Sequence, residues 1–449
     1  MPWQFQSATP GNAWPALPDA AGSAVLALLV QLEASQWLAP ERLEADQLRQ
    51  LDLLARHAWN TVPHYRAAWA GRYDPSVPMS RERLAALPIL TRRELQYRYE
   101  ELKSRAAPRE HGGVVETRTS GSSGAPVKVL VSGVTGALWK ALTLRDHAWH
   151  RRQLTGKLAV VRRGPGGEAP SWGIATAGLV RTGACVSHDV DAGAEAQLEW
   201  LAREQPAYLL TYPSLVAELA RVSLRRGVRL PGLLEVRTLG ESLGSDVREL
   251  CREAWGVPLT DLYSAEEVGY IALQCPTREH YHVQSESVLV EVLDERGAHC
   301  PPGEVGRLVV TSLHNFALPL VRYELGDCAA FGPPCSCGRG LPVLQRIAGR
   351  VNSMLVTADG GRYWPVFGMR QAQSFVQIRQ HQFVQKRLDL VEARLVVEAP
   401  LSAEQEERLR THMEKGLPPG VRVQIVYCDS LARSAGGKFQ DFICEVRPA

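Results

Sequence analysis

The run Thr119-Ser120-Gly121-Ser122-Ser123-Gly124-Ala125-Pro126-Val127-Lys128 is the strongest chemical signal in this chain. Its hydroxyls and glycines offer O–H and N–H donors that no bulky side chain obstructs, so the backbone can close around an anion such as phosphate. No Gly-Lys-Ser/Thr opens a helix at Walker-loop spacing, and taken alone the segment reads equally well as a flexible Ser/Gly turn. A second set is metal-ligating in type: Cys275 and His282, then Cys335-Ser336-Cys337-Gly338-Arg339. Three thiolates and an imidazole suit tetrahedral Zn²⁺, and a site closed by four protein ligands is structural, not catalytic. His280 competes with His282 as ligand, Cys328 is a spare thiol, and buried unligated cysteines are the alternative. Cys185 and Cys251 read as core thiols.

Elements must position these groups. The chain has 449 residues, enough for roughly two to four domains or subdomains. Hydrophobic residues at 45% and charged residues at 22% are those of a globular protein, not a disordered one. A net charge of +3 gives no bulk field to recruit nucleic acid or membrane, and no basic stripe with interleaved aromatics is present. No apolar run is long enough to span a bilayer, and Met1-Pro2-Trp3-Gln4-Phe5 lacks the basic start of a signal peptide. The expected location is cytoplasmic, with thiols and not disulfides.

Residues 1–20 read as an irregular arm, and Ala24 to about Trp69 as helical. Leu51, Leu54, Ala55 and Ala58 fall at i, i+3, i+4 and i+7 on one buried face. Thr91-Arg92-Arg93-Glu94 has capping-box spacing. Leu158–Val161, Tyr208–Thr211 and Val236–Leu239 read as buried strands, separated by helices at Ala194–Glu204 and Ser214–Arg226, which predicts a parallel α/β sheet. Beyond Glu286, Val288–Leu293 and Gly306–Thr311 predict antiparallel strands around the turn-rich 294–303. From Gly349 a final segment has its own pattern: strand-like Leu388–Val397, a capping box at Ser402-Ala403-Glu404-Gln405, a helix ending near Gly416, strand-like Val421–Tyr427, and a glycine-flanked Lys438. The fold class is therefore α/β. A large N-terminal domain over 1–348 has layered α/β subdomains plus an antiparallel β subdomain, and a small mobile α+β domain over 349–449 follows.

Further motifs occur in a set order. Gly240-Glu241 and Tyr263-Ser264-Ala265-Glu266-Glu267-Val268-Gly269 each follow an apolar strand; 303–311 leads to Arg322-Tyr323-Glu324-Leu325-Gly326-Asp327; Arg346-Ile347-Ala348-Gly349-Arg350 and Gly436-Gly437-Lys438-Phe439 come later. With the Ser/Gly run, this order resembles the adenylate-forming superfamily of acyl-CoA synthetases, adenylation domains and luciferases. His57-Ala58, Val62-Pro63-His64-Tyr65-Arg66, Leu87-Pro88-Ile89-Leu90-Thr91 and Tyr212-Pro213-Ser214 resemble its phenylacetate-CoA ligase-like branch, over roughly residues 45–445.

The resemblance implies ATP and Mg²⁺ as cofactors, an acyl-adenylate intermediate, and an acid–thiol ligase acting on an aryl or hydrophobic carboxylic acid. The thiol would be coenzyme A or the phosphopantetheine of an acyl carrier protein. Amide or ester formation and a silent nucleotide-binding homologue are the rivals, and a homodimer stays open. Thr119, Ser120, Gly121, Ser122, Ser123 and Gly124 would hold the β/γ-phosphates, and Glu267 the Mg²⁺. Tyr263 would stack on adenine beside Gly240 and Glu241. Asp327 would accept the ribose hydroxyls, and Arg350 would contact ribose or phosphate. Lys438, on a mobile glycine loop, would be the catalytic cation. Trp172, Gly173, Tyr212, Pro213 and Ser214 would line the acyl pocket near the Ser242-Leu243 edge. Some members of the branch carry a similar Cys-Pro-Cys-Gly-Arg segment with an earlier Cys and His. Three positions depart from the superfamily's habit: Glu266 where Thr or Ser is usual, Asn352 where Asp marks the hinge, and Lys128 two places beyond Pro126.

Overall fold

Apolar runs alternating with amphipathic helices between Leu158 and Ala265 build the parallel half of one large sheet. Strands Cys185–Asp189, Leu158–Arg162, Tyr208–Thr211, Glu235–Leu239 and Leu259–Ala265 lie side by side and parallel. Helices Ala194–Glu204, Pro213–Arg226 and Val247–Trp255 bury Leu198, Leu201, Leu215, Leu219 and Cys251 in the core that covers this half. The computed structural model describes residues 3–119, 126–244, 246–350, 353–365, 367–372 and 375–446. Ser120, Gly121, Ser122, Ser123 and Gly124 of the expected phosphate loop, and Asn352, lie outside the described residues.

The antiparallel half does not form a separate sheet. Strand Gly269–Gln274 pairs antiparallel with Leu259–Ala265, and the ladder runs on through Tyr281–Val283, Val343–Arg350, Tyr323–Phe331, Gly306–Ser312 and Val288–Leu293 in one 12-stranded sheet. The N-terminal helical pattern is three helices, Ala20–Ser35, Pro40–Thr61 and Pro63–Ala68, because proline suits a helix's first turn and interrupts its interior. Leu51, Leu54, Ala55 and Ala58 are fully buried in the core shared with the antiparallel strands. Thr91 and Glu94 form the expected capping box, which fixes the start of helix Arg92–Tyr97.

After Arg350 the chain builds a four-stranded sheet ordered Arg422–Tyr427, Leu390–Val397, Ile378–Arg387 and Phe442–Cys444. Helix Ala403–Glu414, capped by Ser402 and Gln405, crosses over between the parallel strands Leu390–Val397 and Arg422–Tyr427. Phe367, Phe383, Leu395, Leu409, Met413 and Phe442 give this segment a hydrophobic cluster of its own. The boundary expected at 348/349 falls inside strand Val343–Arg350, so the large sheet runs two residues past it. No helix of the described residues is long and apolar enough to cross a membrane.

Candidate active site

A cleft of about 740 Å³ opens where the parallel strands end. Pro213 and Ser214 follow strand Tyr208–Thr211, Gly240 and Glu241 follow Glu235–Leu239, and Ser264–Glu267 close Leu259–Ala265, and all of them line it. The carboxyl ends of parallel strands are where open α/β sheets bind ligands, because the turns there diverge and leave a crevice.

Two polar groups meet in the cleft. Tyr263 Oη donates to Asp327 Oδ2 at 2.6 Å, and Arg350 Nε lies 3.4 Å from Oδ1. Asp327 and Arg350 are register partners across adjacent strands, so sheet pairing itself sets this contact. Burial pushes the Asp327 carboxyl pKa up, and Arg350 and the Tyr263 hydroxyl work against that rise. In the other group, Arg92 Nη1 lies 2.5 Å from Glu267 Oε1 and Nη2 lies 3.5 Å from Thr119 Oγ1. The Glu267 side chain is 7% exposed, so this carboxylate is held by Arg92 and not by water. Glu266 is exposed and also lines the cleft.

The C-terminal segment supplies the third wall. A turn in which Ser434 N donates to Lys438 O (2.8 Å) and Lys438 N to Ser434 Oγ (3.2 Å) presents Lys438 to the cleft. Gly240 has φ +80°, and a Cβ there would stand 3.0 Å from Lys438 Cε and 3.4 Å from its Nζ. The space this glycine leaves is filled by the lysine stem. Burial, with Arg350 beside it, draws the Lys438 ammonium pKa down.

No protein-family model matches the chain. The phenylacetate-coenzyme A ligase of Pseudomonas putida is 25% identical over 439 residues, 90% of this chain and 95% of the relative. Its counterpart from Thermus thermophilus is 29% identical over 337 residues, 71% and 73% of the two chains. Over most of its length the chain is thus distantly homologous to phenylacetate-coenzyme A ligases, enzymes of the adenylate-forming acyl-CoA ligase superfamily. Among solved structures, 2-hydroxyisobutyryl-CoA ligase in its postadenylation state matches the fold with a TM-score of 0.71 at 21% identity, covering 92% of this chain and 91% of that one. The same ligase in its thioesterification state gives 0.58 at 22% identity, over 91% of each chain.

Within this superfamily frame, several expected residues stand elsewhere. Trp172 and Gly173 do not line the cleft. The Trp172 indole donates to Gly156 O (2.9 Å) and packs edge-on to Tyr208 and His147, because a large apolar ring gains more from the core. Tyr212 is buried beside Gly240, and its hydroxyl donates to Gly436 O at 2.8 Å, so it meets the lysine turn and not an acyl wall. The Glu241 carboxylate accepts from Ser214 N (3.0 Å) and Phe439 N (2.5 Å). Lys128 lies outside the cleft lining, 3.3 Å from Glu116 and over the Tyr99 ring. Arg92 and Arg433 were not singled out from the sequence. Arg92 directly follows the capping Thr91, and Arg433 opens the lysine turn, and position beside a motif is the only signal either carries.

A second centre lies within the large sheet, around strand Tyr281–Val283, which is paired on both sides. The ligand atoms of Cys275, His282, Cys335 and Cys337 all fall within 4.8 Å of one another. Cys275 Sγ is 3.9 Å from Cys335 Sγ, and Cys337 Sγ is 3.4 Å from His282 Nε2. His282 Nδ1 faces Leu341 O at 3.3 Å, which places the proton on Nδ1 and leaves the Nε2 lone pair toward the thiols. Burial lowers the His282 pKa to about 4, so the ring is neutral, as metal ligation requires. His280 stacks edge-on against His282 and is outside the cluster, as is Cys328. All nine cysteines are free.

Proposed function

We propose that the protein joins a carboxylic acid to the thiol of coenzyme A, using ATP and releasing AMP and pyrophosphate. The observation that carries this reading is Lys438 lying over Gly240 in the cleft that also holds Tyr263, Asp327, Arg350 and Glu267. In the first half-reaction a carboxylate oxygen attacks the α-phosphorus of ATP and the bond to the pyrophosphate oxygen breaks. Both reactants are anionic, so the site must align them and neutralise charge. Lys438 meets the α-phosphate and the carboxylate, and Arg92 and Arg350 add positive charge to the same cleft. Asp327 retains acceptor lone pairs for the ribose hydroxyls beside its present partners. Glu267 is a hard oxygen donor at the Thr119 end and would hold Mg²⁺, which shields the phosphates and the departing pyrophosphate when bound. In the second half-reaction the thiol sulfur attacks the acyl carbon, its proton is released, and AMP leaves.

The C-terminal segment from about residue 349 moves between the two halves in this reading. Its separate hydrophobic cluster supports such movement. Aryl and other hydrophobic acids head the substrate list, because the curated relatives are phenylacetate-coenzyme A ligases and Pro213, Ala217 and Val247 make part of the cleft apolar. The Cys275, His282, Cys335 and Cys337 set fits structural Zn²⁺, with His282 oriented as a ligand needs.

The test is acid-dependent exchange of labelled pyrophosphate into ATP across aryl, fatty and short hydroxy acids. At least one acid should support exchange, followed by CoA-dependent release of AMP. Normal ATP binding without exchange for any acid would make the protein a silent nucleotide binder.

A further inference from the structure

Two consecutive residues at the end of a strand grip two consecutive residues of the C-terminal turn. Gly240 receives the Lys438 stem, and Glu241 Oε1 accepts the backbone N–H of Phe439 at 2.5 Å. The other carboxylate oxygen accepts Ser214 N at 3.0 Å, in the first turn of helix Pro213–Arg226, where backbone donors lack helical partners. Arg433 Nη1 stands 3.6 Å from Glu241 Oε1 and donates to Ser214 Oγ (3.0 Å) and Gly437 O (3.3 Å). The Glu241 side chain is 5% exposed.

We propose that Glu241 is the positioning residue that sets Lys438 for adenylation and releases it for thiol transfer, an inference that rests on the ligase reading above. A carboxylate suits the task because it is acceptor-only at both oxygens and can take one N–H from each side of the interface. When the C-terminal segment leaves, Oε2 still caps the helix and only Oε1 must find water. The latch therefore opens without stranding a buried charge. Because the gripped amide belongs to the residue after Lys438, the contact fixes the lysine's approach to the scale on which alignment governs rate.

The test compares wild type with Glu241→Gln and Glu241→Ala. Glutamine offers a single acceptor oxygen and cannot satisfy both amides. Pyrophosphate exchange should fall about 10- to 100-fold in both variants with the KM for ATP within about threefold, the pattern of a lost transition-state contact. Acyl transfer from supplied acyl-AMP to CoA should fall far less. Hydrogen–deuterium exchange of the peptide spanning 433–442 should become faster in both variants, because the Phe439 amide loses its buried acceptor. Equal losses in the two half-reactions, unchanged pyrophosphate exchange, or unchanged protection of that peptide would each overturn the assignment. A wild type with no acid-dependent exchange defeats the ligase reading, while the protection of 433–442 still decides the latch.

Discussion

The cleft and the Cys/His cluster both gather residues from distant parts of the chain, yet they are assembled in opposite ways. The cluster sits within the strands and turns of the large sheet: His282 on a strand paired on both sides, Cys275 beside the turn closed by its N–H to His280 O, and Cys335 and Cys337 on one turn. Nothing has to move to complete it. The cleft has one wall from beyond Arg350, and Lys438 sits on a turn held by a few polar contacts: Tyr212 Oη to Gly436 O, Phe439 N to Glu241, and Arg433 to Ser214. A centre that only staples the fold gains from rigid placement. On the proposed reading the cleft serves two half-reactions, and such a site needs a cation that can be delivered and withdrawn.

The sharpest way to break this contrast is to remove the delivered cation. Lys438→Ala should slow adenylate formation by roughly two to three orders of magnitude, the scale of one preorganised electrostatic contact. ATP affinity should hold nearly constant, because the lysine acts in the closed state. Supplied with acyl-AMP, the variant should still acylate CoA at close to the wild-type rate. Equal damage to both halves would make Lys438 a structural residue, and an intact first half would place the catalytic cation elsewhere.

Legibility followed the same divide. Both capping boxes, the buried face of Leu51, Leu54, Ala55 and Ala58, and the strands around Leu158, Tyr208 and Val236 were readable because short-range spacing causes them. The cluster was readable by residue type, and its geometry selects His282 over His280 through the Leu341 carbonyl, which leaves no trace in side-chain identity. The pairing of Glu241 with Phe439 was illegible because a backbone N–H belongs to almost every residue. Trp172 was misplaced because an aromatic that walls a pocket and one that fills a core look alike in sequence. The continuity of the large sheet was hidden as well, since strand pairing across Leu259–Ala265 and Gly269–Gln274 is a matter of register and not of composition.

Tyr212→Phe probes the delivery apparatus more gently. It removes one hydrogen bond to Gly436 O and leaves the ring in place, so the first half-reaction should fall about fivefold, the rate equivalent of roughly 1 kcal/mol. An effect confined to acid selectivity would return Tyr212 to the acyl wall. Cys335→Ser tests the static side of the comparison. Bound zinc should fall from about one per chain, and the melting temperature should drop by several degrees, because metal binding contributes folding free energy. The rate of the folded fraction should change by less than about twofold, since the site is closed and lies outside the cleft lining. Absence of zinc from wild type prepared without chelator would remove the metal. A large loss of rate in folded protein would couple the two centres.

The smallest effect concerns the charge balance of the closed interface. Asp441, three residues after Lys438, has its pKa pushed up to about 6, first by burial and then by Glu241 and Asp246, with Arg221 and Arg433 acting in the opposite sense. A carboxyl raised in the closed state binds protons there more readily than in an open state where it regains its ordinary value of 3.8. Its contribution to closure is therefore fully present below that ordinary value and is lost as pH rises through about 6. At neutral pH the ionised side chain opposes closure. Asp441→Asn removes that charge and should speed the first half-reaction several-fold above pH 7. The ratio of variant to wild type should start to shrink as pH falls below about 6 and approach one only below 3.8, where the wild-type residue is neutral in the open and the closed state alike. Such a profile would show that closure is tuned weak enough to be reversed. A ratio that does not vary with pH, or that stays below one throughout, would mean that Asp441 holds the segment in place through packing and that its ionisation is irrelevant to the alternation.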